Sequence, residues 1–144
     1  MLTDKNQELE SEAVLTEECR RHSSASIEDP TKEVEFRYIV EERDDLARKY
    51  TYEKSKGGKW VLFFKTEDLF SMWKKACLLY RSGTLQGVTS VVSSTAKANP
   101  SRTSRHELKV ISFQCGPYDD RDLMLRYGMN IVELLRYTNI TGHI

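Results

Sequence analysis

One stretch constrains the fold more than any other. Gly57, Gly58, Lys59, Trp60, Val61, Leu62, Phe63 and Phe64 lead straight into a run, 66–80, whose apolar residues recur at helical spacing. A glycine pair marks a turn, and a dense tryptophan, valine and phenylalanine run marks a strand. Because the run is apolar without alternation, residues 59–64 are expected to form a central strand buried on both faces. Leu69, Met72, Trp73, Ala76, Leu79 and Tyr80 then predict an amphipathic helix able to cover a sheet. Thr66 is the expected N-cap, with Glu67 and Asp68 where the helix dipole favours acids, and Ser82 and Gly83 supply the stop.

The rest of the chain supplies partners for this unit. Residues 34–40 alternate, with Val34, Phe36, Tyr38 and Val40 on one face, as a half-buried strand does. Residues 41–49 are charged around Leu46 and Ala47 and read as a loop or short surface helix. Residues 86–94 and 108–115 predict two strands joined by a polar loop, 95–106, and so a long antiparallel hairpin. After Gly116 and Pro117, Asp119 is the expected cap of a second helix whose stripe is Leu123, Tyr127, Ile131, Leu134 and Leu135. Gly128 falls inside that helix, where glycine costs roughly 0.5–1 kcal/mol against alanine and so marks close packing. The order strand, strand, helix, strand, strand, helix argues for an α+β domain: a curved, mainly antiparallel sheet with helices packed on one face. Residues 1–30 are acidic and serine-rich, bury too little apolar area to offset ordering, and are expected to be a disordered tail; 31–144 form the domain.

Composition narrows the function. Lysine plus arginine and aspartate plus glutamate number 22 each, so no global field draws the chain to nucleic acid or an anionic surface. The three cysteines, Cys19, Cys77 and Cys115, have no CxxC spacing, and Cys77 and Cys115 sit in apolar runs. Free buried thiols in a reducing compartment fit better than a disulfide framework or a zinc site. No window approaches the roughly 18 apolar residues of a membrane span, and no signal core opens the chain. The expected location is the cytoplasm, with the nucleus as the alternative.

No catalytic motif is present. His22, His106 and His143 have no nucleophile or ligand partner at a motif spacing, and there is no P-loop, dinucleotide fingerprint or HExxH. Asp119, Asp120 and Asp122 are explained by helix capping rather than by a metal. The expectation is a non-enzymatic binding module without cofactor or metal. Lys97, Arg102, Arg105 and Lys109 gather at one end of the predicted hairpin and are the candidate contacts to RNA or nucleotide phosphates. The competing reading is a protein-interaction adaptor that uses the helix bearing Met72 and Trp73.

These residues resemble a known family. Gly57, Gly58, Lys59 and Trp60 before an apolar strand, Phe70 to Trp73 in a helix, Gly87 opening a valine strand, and Lys109 to Phe113 are similar to the cap-binding translation initiation factor 4E fold. A nearer resemblance is to the Bles family (basophilic-leukaemia-expressed protein; domain of unknown function), carried also by Val92, Ser93, Ser94 and Thr95 and by Asp119 and Asp120. The resemblance covers about 54–144 and implies that fold. It does not imply cap recognition. The family's stacking tryptophan and glutamate match about Lys49 and Tyr50, no tryptophan precedes Trp60, and the phosphate-binding arginine falls near Ser93. Lys109 alone resembles a phosphate-binding base. Similar proteins continue past the equivalent of 141–144 into another strand, so the resemblance implies a shortened isoform or fragment lacking that C-terminal strand.

Overall fold

The structure, a computed structural model, describes residues 19–21, 26–97 and 108–137, the first of these as backbone. Its strands are β1 Cys19–Arg21, β2 Tyr38–Glu41, β3 Gly58–Phe64, β4 Ser90–Ser94 and β5 Lys109–Cys115. Its helices are α1 Asp44–Lys49, α2 Thr66–Arg81 and α3 Arg121–Leu135, with short 3-10 turns at Pro30–Lys32 and Lys54–Lys56. The five strands form one sheet in the order β1, β2, β4, β5, β3. Every pairing is antiparallel except that of β1 with β2.

The α+β architecture is therefore present, with the helices packed on one face. Register decides which side chains meet them. Ile39 opposes Ser93, Val91 opposes Phe113, Trp60 opposes Phe113, and Leu62 opposes Ile111. These residues share one face because successive strand side chains alternate. Ile39, Val91, Ile111, Phe113, Leu62 and Phe64 join Leu69, Trp73, Ala76, Cys77 and Tyr80 of α2 and Ile131 and Leu135 of α3 in a single buried core. Tyr80 bolts two loops to that core: its hydroxyl accepts from the Arg43 amide at 3.1 Å and donates to the Thr89 carbonyl at 2.7 Å. Beside it, Arg81 clamps buried Glu41 with two bonds, Nε to Oε2 at 2.6 Å and Nη2 to Oε1 at 3.0 Å.

Four expectations are corrected. Residues 59–64 do not form a central strand: β3 ends the sheet order, and Phe63 is 42% exposed. Only its alternate residues Trp60, Leu62 and Phe64 turn to the helices, so an unbroken apolar run here reflects a core face plus a groove. Thr66 is the first residue of α2 and not its cap, which is Lys65 without a side-chain bond. Asp120 rather than Asp119 caps α3, its Oδ1 accepting from the Leu123 amide at 3.3 Å, while Asp119 pairs with Lys56 at 2.8 Å. Finally, β1 lies inside the stretch expected to be a tail. Main-chain pairing along β2 is indifferent to the polarity of the added residues, so a polar segment can join the sheet. Residues 1–18 and 22–25, to which the rest of that expectation applies, lie outside the described residues.

Two glycines are required by the packing. Gly87 has φ +81°, and a Cβ there would meet the Tyr127 ring at 2.3 Å. Gly128 lies against the Trp60 indole, with a Cβ falling 2.6 Å from Cε2. The close packing expected of a glycine inside this helix is present.

Candidate functional site

The sequence-predicted basic residues do not form one surface among the described residues. Lys97 is exposed, and its Nζ donates to the Glu35 carbonyl at 3.1 Å. Lys109 shares the core face of β5 with Ile111 and Phe113; it is buried, and its Nζ donates to the Thr95 carbonyl at 2.8 Å. Both lysines thus fasten the turn that leaves β4, where the Thr95 hydroxyl donates in turn to the Phe36 carbonyl. Arg102, Arg105 and His106 lie outside the described residues. The adaptor residues are placed differently from a docking surface as well. Trp73 is wholly buried beneath the sheet, and Met72 is half-buried against the same core. The α2 stripe is consumed by the sheet because the helix lies directly on it.

An open concave feature lies elsewhere, between β3 and α3. It is a groove of about 930 Å³ bordered by Trp60, Val61, Leu62 and Phe63 on one side and Leu125, Gly128, Met129 and Val132 on the other, with Glu133 and Tyr137 at one end. Four consecutive strand residues cannot line a cavity on one face of a sheet, because alternate side chains point to opposite faces. The groove therefore runs along the outer edge of β3, with which no strand among the described residues pairs. Leu125 at 46% exposure and Met129 at 69% stand beside Phe63 and leave apolar surface in contact with solvent.

Several contacts frame the groove and the helix beside it. The Trp60 Nε1–H donates to the Met124 carbonyl at 2.9 Å, and Gly128 lets the indole lie against the helix backbone. The Asn130 amide donates to the Thr84 carbonyl at 3.0 Å. At the helix end Arg136 takes the left-handed conformation, φ 54°, which turns the chain back toward β3. Tyr137 then packs edge-on against Phe64, with ring centroids 5.4 Å apart. Its hydroxyl accepts from the Phe63 amide at 3.3 Å and donates to the Phe63 carbonyl at 3.2 Å. One side chain thereby satisfies both outward main-chain groups of an edge residue.

Sequence reasoning took the α3 stripe to be Leu123, Tyr127, Ile131, Leu134 and Leu135 and missed the second one. Leu125, Met129 and Val132 stand at i, i+4 and i+7, a helical spacing that could have revealed a second apolar face.

The electrostatics of the described residues show no catalytic constellation. No group of three or more histidine, cysteine or acidic residues could hold a metal among them. Burial pushes the Cys115 thiol up to about 11 and the Cys77 thiol higher still, Glu41 adding to the shift at Cys77. Both are therefore protonated and unreactive near neutrality, the opposite of a nucleophile. No helix among the described residues is long and apolar enough to cross a membrane.

No family model matches the sequence, and no curated protein is similar to it. Solved structures similar to this chain include the complex of C. elegans eIF4E-3 with the 4E-binding protein Mextli and a cap analog, at 16% identity and TM-score 0.48, covering 60% of this chain and 47% of that one. The complex of Ascaris suum eIF4E-3 with the m2,2,7G cap is similar at 16% identity and TM-score 0.45, covering 57% and 45%. The complex of C. elegans eIF4E-3 with Mextli alone gives 14% identity and TM-score 0.47, covering 60% and 49%. The chain spans about half the length of the structures it matches. The α+β class rests on the sheet and helices of this chain itself.

Proposed function

We propose that this protein is a non-enzymatic interaction module that holds a partner protein in the groove between β3 and α3. The supporting observation is the groove itself: exposed Phe63, Leu125 and Met129 beside a strand edge that no strand among the described residues pairs, framed by Trp60, Gly128 and Tyr137. Apolar side chains left in water on a rigid frame are the usual mark of a protein contact. The adaptor reading is thus moved from α2, which bears Met72 and Trp73, to the groove between β3 and α3. Buried free thiols at Cys77 and Cys115 fit a reducing compartment, cytoplasmic or nuclear.

The test is site-specific photo-crosslinking in cells. A photoreactive residue placed at Leu125 or Met129 is expected to capture a discrete partner, and one placed at exposed Leu78 on α2 is not. Met129→Lys in the same chain should abolish capture while the far-ultraviolet spectrum stays unchanged. Equal capture from Leu78 and from the groove, or none from the groove, rejects the proposal.

The second reading is RNA or nucleotide binding through Lys97, Arg102, Arg105 and Lys109. It is favoured by the exposed ammonium of Lys97, which leads into the segment carrying both arginines. Lys109 serves it only by positioning, since its Nζ is buried on the Thr95 carbonyl. Fluorescence anisotropy with single-stranded RNA and with cap analogue at two salt concentrations decides. A phosphate site weakens with salt and is lost on Lys97, Arg102 and Arg105 alanine substitution.

A further inference from the structure

We infer that the groove takes its partner as an extended peptide, added antiparallel to the free edge of β3. This rests on the groove reading above and names the form of the occupant. The Tyr137 hydroxyl meets both the amide and the carbonyl of Phe63, so these groups point away from β5. Main-chain direction alternates along a strand, so Lys59 and Val61 present their amides and carbonyls on the same outer side, while Trp60 and Leu62 present theirs to β5. Among the described residues nothing pairs with the outward groups of Lys59 and Val61. They are therefore an open ladder, closed at one end by Tyr137. Such a ladder is satisfied by another strand more completely than by a helix or a scattered set of side chains.

Charges of opposite sign stand at the two ends of the strand edge: Lys59 precedes the lining residue Trp60, and Glu133 is itself part of the lining. Lys59 is exposed at the start of β3, and Glu133 is exposed beside Tyr137 near its finish. In an antiparallel addition the incoming peptide begins near Glu133 and finishes near Lys59. The fitting peptide is basic at its N-terminal end and acidic at its C-terminal end. Its alternate apolar side chains lie against Leu125 and Met129. An antiparallel partner can exchange both bonds with one residue, which matches the single-residue pairing Tyr137 already imitates at Phe63.

Amide hydrogen exchange tests the ladder in the free protein. Lys59 and Val61 amides are expected to exchange at least about a hundredfold faster than that of Leu62, which faces β5. Equal protection in the dilute monomer overturns the inference. So does protection that grows with protein concentration, because the edge is then taken by a second copy of this chain. The binding probe is a fluorescein-labelled Lys-Val-Thr-Val-Thr-Val-Asp peptide, as long as the seven residues of β3, followed by selection from a display library of the same alternation. Bound peptide should bring Lys59 and Val61 to the protection of Leu62. N-methylation of the first threonine, which alternates with the valines and so faces its amide to the strand edge at Val61, removes one ladder donor, keeps every side chain and should weaken binding about tenfold. A peptide that binds equally well with and without N-methylation, and is still lost on Met129→Lys, overturns the strand form and leaves the proposed function standing. Absence of any ligand from probe and library overturns the strand form, whereas failed crosslinking from Leu125 and Met129 rejects the proposed function itself.

Discussion

Gly128→Ala should destabilise the protein even though it replaces the poorest ordinary helix former with the best. A Cβ at this position would lie 2.6, 2.7 and 3.0 Å from Cε2, Cζ2 and Cδ2 of Trp60. Carbon atoms in contact rest about 3.5–4.0 Å apart, so relief needs a shift near 1 Å. A fused indole cannot fold away as a flexible chain end can. It is also pinned, since its Nε1–H donates to the Met124 carbonyl at 2.9 Å. Retreat of the ring stretches that bond, worth about 0.5–1.5 kcal/mol, and overpacking adds about 1–3 kcal/mol. Helix propensity returns about 1 kcal/mol. The net loss is about 1–3 kcal/mol, which for a chain of this size lowers Tm by roughly 3–10 °C. Thermal unfolding followed by circular dichroism measures it. The decisive control is the same substitution in a Trp60→Leu background, where the clash is gone and the alanine should be neutral or stabilising by up to about 1 kcal/mol. A higher Tm for Gly128→Ala alone, or no coupling between the two sites, would refute the reasoning.

Tyr137→Phe keeps the ring against Phe64 and removes both bonds to Phe63; a loss of about 1 kcal/mol and faster exchange of the Phe63 amide are expected in urea unfolding and hydrogen exchange. Asp120→Ala removes the α3 cap and should cost about 1 kcal/mol, whereas Asp119→Asn breaks only the exposed pair with Lys56 and should stay within about 0.5 kcal/mol; equal losses would reassign the cap. The Cys77 and Cys115 thiols are raised in the folded state, so their contribution is complete below the unfolded thiol value near 8.5. It declines as pH rises above that value, by up to about 1.4 kcal/mol per pH unit for each thiol, and urea midpoints between pH 7 and 10 measure the fall. In a Cys19→Ser variant at pH 8, a thiol at about 11 has roughly two hundredfold less thiolate than a free one, partly offset by its greater nucleophilicity, so disulfide reagents should react with buried Cys115 at least about tenfold more slowly.

Local periodicity made much of the fold legible. The α2 helix is found at Thr66–Arg81 where 66–80 was expected, and β5 at Lys109–Cys115 where 108–115 was expected. Both signals sit within one segment. The candidate site was far less legible. Lys109 was read as a surface base because lysine is seldom buried, yet the strand places it on the core face with the Thr95 carbonyl to receive its Nζ. Trp73 was legible as core, and its second role as a docking residue failed because the sheet covers it entirely. Leu125 and Met129 were overlooked because one apolar stripe on α3 already sufficed to seat the helix.

The sequence by itself determined α2, α3 and the strands β3, β4 and β5, since the periods of strand and helix are written in neighbouring residues, while β1 fell in a stretch read as a tail. It also excluded the familiar catalytic motifs. The tertiary structure decided that β3 lies at the edge of the sheet among the described residues and that a groove runs beside it. Those facts depend on strand order and on Trp60 meeting a helix 64 residues further on. Pairing between distant segments is a property of how complementary faces pack, and no window of sequence contains both faces at once.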